Sequence, residues 1–147
     1  MAKPNKKKSE SFVKDTLNKK KSETTTSQDN FKVSFQYLDT TQKYGSSFRD
    51  WQSVGLLSKA LEVLQGYCCS PLLEQINGDK FAKYGNFPPT DKTKFIHPKH
   101  VPEDACWARI HITGPAVLAG HILGDTFYVV FLDKTHKFYL TRRVTEN

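Results

Sequence analysis

The stretch from Trp107 to Tyr139, WARIHITGPAVLAGHILGDTFYVVFLDKTHKFY, reads as strand, tight turn, strand, tight turn, strand. Thr113-Gly114-Pro115 and Leu123-Gly124-Asp125 sit at the joints, and these residue types supply the dihedrals of tight hairpins. A last strand, Lys137 to Thr141, is expected after the turn Asp133-Lys134-Thr135-His136. A run of antiparallel strands commits the chain to a sheet, so the segments before it must supply the helices that cover a face.

Those segments begin with Phe31, Val33, Phe35 and Tyr37 alternating with Lys32, Ser34 and Gln36, a period of two that marks an N-terminal strand. Asp39, Thr40 and Thr41 open a polar loop. Ser47 is placed to cap a helix, with Asp50 three residues on, and Trp51, Val54, Leu57, Leu61 and Leu64 repeat at helical spacing. Leu56, Ala60 and Val63 widen that stripe, and Gly66 offers a stop. Ser70-Pro71 suit the start of a short second helix ending at Asn77-Gly78. From Asp79 to Asp104 the pattern dissolves into Lys, Gly, Pro and His, a loop long enough to be functional or mobile. The expected class is α+β: an N-terminal strand, two helices on one face, and an antiparallel β-meander.

Charge divides the chain in two. Of 147 residues, 22 are Lys or Arg and 15 are Asp or Glu, a net charge of +7 that favours polyanionic partners. Residues 1–30 hold eight lysines against four acids, and Phe12, Val13 and Leu17 are their only large apolar side chains. Such a tail cannot bury enough surface to offset its ordering entropy and is expected to be disordered, leaving 31–147 as one domain. No run approaches the roughly 18 apolar residues of a membrane helix, and the N-terminus lacks the apolar centre of a secretion signal. The chain therefore reads as soluble and cytoplasmic, with no membrane partner.

Candidate chemistry is sparse. Trp107, Arg109 and His111 share one side of their strand, opposite Ala108, Ile110 and Ile112. Two readings stand for that side: a partly solvated sheet face, or a surface where Trp stacks on bases and Arg meets phosphate. Lys134, Lys137, Arg142 and Arg143 would add cations to such a nucleic-acid surface. His121, within AVLAGHIL, suits a satisfied histidine of the sheet, and Gly120 beside it marks a bulge or a close backbone approach. Asp133 suits capping of its own turn. Cys68, Cys69 and Cys106 form no disulfide framework and are expected reduced and mostly buried. His97, His100 and these cysteines lack zinc-ligand spacing, so no metal and no cofactor is expected. Phosphate-binding glycine loops, nucleophile elbows and paired catalytic carboxylates are absent from the sequence.

The element order, with Trp107-x-Arg109 entering a meander that ends in His136 and Tyr139, resembles the RelE/ParE superfamily of bacterial toxins, nearest its YoeB-like branch. The resemblance spans residues 31–141 in topology and those four residues in motif. It implies a metal-independent endoribonuclease that enters the ribosome and cuts mRNA, the ribose 2′-hydroxyl attacking the adjacent phosphate. Arg109 would then stabilise the phosphorane charge, His136 would act as acid, and Tyr139 would stack on a base or orient the histidine. An antitoxin-like protein partner is implied as well. Where that family places a second arginine, this chain has the uncharged Pro115–Ala119, and Glu103, Asp104 and Asp79 are the carboxylates left as general base. Two other readings remain open: a non-catalytic domain of the same fold that holds nucleic acid or protein, and a purely protein-interaction role.

Overall fold

The computed structural model describes residues 29–140. The expected tail disorder, the last residue of the Lys137–Thr141 strand, and Arg142 and Arg143 lie wholly or mainly outside that range.

Five strands form one mixed sheet in the order β1-β5-β4-β3-β2. The meander is as expected: β3 (Cys106–Thr113), β4 (Ala116–Leu123) and β5 (Thr126–Asp133) pair antiparallel. The N-terminal strand β1 spans only Lys32–Ser34 and runs parallel to β5. It stops because the chain turns at Gln36 and Tyr37 and crosses to the other face: Phe31 is buried under the helices, whereas Tyr37 packs on the opposite side. The chain still follows the edge of β5, donating from Asp39 N to Val130 O at 2.8 Å and from Ser46 N to Leu132 O at 2.9 Å.

The single long helix suggested by the stripe from Trp51 to Leu64 is two helices, α1 (Phe48–Ser53) and α2 (Leu57–Tyr67). Gly55 sits between them at φ +78, a left-handed conformation that a side chain resists and that breaks the helical path. The break rotates the stripe: Val54 and Leu61 are about half exposed, and the buried positions are Trp51, Ala60 and Leu64. Gly66 lies inside α2 rather than ending it. The Ser47 cap forms a full capping box with Asp50, each accepting from the other's backbone N–H. The second helix reduces to a 3₁₀ turn, Leu72–Gln75.

Two further departures concern the loop and the last strand. Within the expected loop lies β2 (Phe81–Gly85), an edge strand antiparallel to β3, too short and too glycine-flanked to show a period. After β5 no strand forms through Leu140. The Asp133 carboxylate captures the N–H groups of Lys137 and Phe138 at 2.9 and 2.8 Å, removing the donors a ladder would need. Phe138 turns inward, and the backbone instead meets the loop through Lys94 N to Lys137 O (2.9 Å) and Leu140 N to Lys92 O (2.7 Å).

The sheet is covered on both faces. Helices and the 3₁₀ turn bury Ala108, Ile110, Ile112, Leu118, Phe127 and Leu132 with Phe31, Trp51 and Phe81. Residues 86–105 and Phe138 bury the other face, with Phe95 stacked on Phe131 at 4.2 Å and Phe87 edge-on to Trp107 at 4.9 Å. A β-bulge lets β5 serve both layers. Ala119 pairs with Phe131 but Gly120 with Val129, so Val130 and Phe131 both turn toward the loop-covered face. Opposite the bulge, a Cβ on Gly120 would collide with the Tyr128 carbonyl oxygen, the close backbone approach expected for this glycine.

Candidate nucleic-acid interface

The end of the loop-covered face where β3 leads toward its hairpin holds the chemistry-bearing side chains. Arg109 pairs with Ala82 of β2 on one side and Ala119 of β4 on the other, two small neighbours that leave room for its stem. Its guanidinium is half-buried and held by neutral acceptors: Nε donates to the Tyr84 hydroxyl at 2.9 Å and Nη1 to the Asp79 carbonyl at 2.6 Å. Among the described residues the ion pairs are those of Lys32 with Asp29 and Asp125, so no carboxylate neutralises Arg109. Within the described residues two of its five donors are used and its charge meets no carboxylate.

Tyr84 links Arg109 to Tyr139. The two phenol rings stack at 4.6 Å with planes 18° apart, and Tyr139 is half-buried. Burial pushes the Tyr84 hydroxyl above its ordinary value, against the opposing pull of the Arg109 charge, so it stays a neutral donor-acceptor. Asp133 is fully buried beneath the same turn, and its desolvation holds the carboxyl above the usual range despite the N–H groups it accepts. That capping role is the one its sequence position suggested. His136 stands in this turn at φ 64, a left-handed conformation that histidine tolerates better than most residues. Among the described residues no hydrogen bond joins its ring to Arg109 or Tyr139.

Of the residues singled out in the sequence, Arg109 and Tyr139 come together through Tyr84, and His136, Lys134 and Lys137 belong to the turn that delivers Tyr139. Trp107 does not join them. It is 0% exposed, packed among Phe87, His97, His121, Phe131 and Phe138, and so presents no ring to a base. The face expected to be partly solvated is therefore core at Trp107 and open only at its Arg109 end. His111 is spent locally, donating from Nε2 to Gly114 O at 3.1 Å across the β3–β4 turn. Of the carboxylates considered as base, Asp79 offers Arg109 its backbone, while Glu103 and Asp104 are exposed before the opposite end of β3. Tyr84 escaped the sequence reading because the strand that carries it did.

His121 is buried as a sheet histidine, stacked on Tyr128 at 5.0 Å, and burial together with the His97 charge holds it below the ordinary histidine value. The cysteines are free, with Cys69 exposed and Cys68 and Cys106 half-buried, more open than expected. No group of three or more His, Cys, Asp or Glu among the described residues could hold a metal ion, and none of the described helices is long and apolar enough to cross a membrane.

Comparison with family models, with curated proteins and with solved structures finds no match to this chain.

Proposed function

We propose that this protein acts on RNA, taking a backbone phosphate at Arg109 and an unstacked base beside Tyr84 and Tyr139, with ribosome-dependent mRNA cleavage as the catalytic form of that activity. The observation that carries the reading is the Arg109 guanidinium: half-buried, fixed by two neutral acceptors, and without a carboxylate among the described residues. Holding a cation in this state costs desolvation that no anion among the described residues offsets, and a phosphate oxygen would repay it with charge-assisted hydrogen bonds. A cation beside stacked aromatics is the composition that single-stranded nucleic acid requires.

Cleavage further needs a proton donor for the leaving 5′-oxygen, a role we assign to His136, whose turn also carries Lys134, Lys137 and Tyr139. The toxin-like form, with an antitoxin-like partner, rests on the sequence resemblance. Induction in bacteria of the protein and of its His136→Ala and Arg109→Ala variants, with mRNA 5′ ends mapped, tests it. New ends within translated codons, lost in both variants, are expected. His136→Ala keeps a Cβ at the left-handed position, so its loss of activity reports the imidazole rather than the backbone. New ends that persist in both variants would refute the assignment, and no new ends with retained RNA affinity would reduce the function to binding.

A further inference from the structure

His97 and His121 meet Trp107 under the segment 86–105, outside the proposed interface. Their ring centroids lie 5.4 and 6.0 Å from Trp107, and His97 belongs to the covering segment whereas His121 belongs to β4. His97 Nδ1 is 2.9 Å from Pro98 O, and a carbonyl only accepts, so Nδ1 carries a proton. Both Nε2 atoms are buried without a hydrogen-bond partner. Protonation of His121 leaves a charged ring whose buried Nε2 has no acceptor among the described residues.

Among the described residues the surroundings offer no buried counter-charge beside His121, and the acids of the covering segment, Asp91, Glu103 and Asp104, are exposed. Within β4, His121 is the single titratable side chain. β3 brings Trp107, and further along Arg109 and His111, all neutral or cationic. β5 brings Tyr128, and its Asp133 pairs with Val117, four positions along β4 from His121. The segment after β1 brings Tyr37, 5.2 Å from His121, and Asp39, whose carboxylate serves Thr41 and Gln42 and feels His100. His100 is itself already satisfied, donating from Nε2 to Tyr37 O at 2.8 Å.

We propose that His121, which with His97 packs against Trp107, makes the covering of the sheet by residues 86–105 pH dependent, closed while the His121 imidazole is neutral and opened when acid protonates it. The sign follows from linkage. A histidine held below its ordinary 6.5 when closed binds more protons when open. Closure is therefore fully stable above that value and loses stability as pH falls from it through the depressed one. Opening would wet Trp107, Val130 and Phe131.

Hydrogen exchange of the full chain at about pH 7.5 and about pH 5.5, corrected for intrinsic rates, tests this. Peptides from 86–105 should open about tenfold more at the lower pH, the effect of one proton coupled over the single pH unit below the ordinary histidine value, while β4 and β5 stay protected. His121→Phe and, separately, His121→Gln should each shrink that response, and His100→Gln should not. Equal corrected rates at both pH values would overturn the proposal, as would opening shared equally by β4 and β5, or an undiminished response in both variants.

Discussion

Gly120 shows how one position can be dictated by a neighbour rather than by its own dihedrals. It faces the bulge at Val130, and a Cβ there would be forced into the Tyr128 carbonyl, a backbone atom that cannot swing aside. Gly120→Ala should destabilise the protein by about 2–3 kcal/mol, read as a lower denaturation midpoint with an unchanged slope. Asp133 is a second such position: buried, accepting from Lys137 and Phe138, and hence the anchor of the turn that carries His136 and Tyr139. Asp133→Ala strands the buried Phe138 N–H and the half-buried Lys137 N–H and should cost about 2–4 kcal/mol, measured in the same way. Both roles were legible in the sequence, Gly120 as a glycine within a strand and Asp133 as an acid opening a turn. The burial of Trp107 was not, because alternation says which residues share a face and is silent on whether a loop covers it.

At the scale of elements, the meander was readable because hairpin residues punctuate long strands with strong β-formers. β2 was not readable, since its five residues between glycines owe their extended form to β3. The split between α1 and α2 turns on Gly55, whose helical tolerance and left-handed use look alike in sequence. The covering segment is held by an element that no local pattern could reveal. The Gln42 amide donates to Ile96 O at 2.7 Å and accepts from Ile96 N at 2.8 Å, imitating a strand pair across 54 residues. Gln42→Ala should cost about 1–2 kcal/mol and speed exchange of the Ile96 amide, while exchange in β4 stays slow. The sheet edges are also guarded: β1 is three residues long, and β2 carries the exposed Lys83 beside a bulge. Such edges resist strand addition by another chain.

For the whole molecule, the question is what a basic protein with both sheet faces covered leaves for function. The candidate site was half legible: Arg109, His136 and Tyr139 stand out by type, but Tyr84, which joins two of them, depends on a strand the sequence hides. The proposed RNA contact is Arg109, a cation with no carboxylate partner among the described residues. The measurement that tests this most directly is the affinity of the full chain for single-stranded RNA across a salt series, beside Arg109→Gln. Binding should weaken steeply with salt, and the variant should bind about tenfold or more weaker with a salt slope reduced by about 0.7, the contribution of one single-strand phosphate contact. Equal affinity and equal slope in protein and variant would contradict that contact.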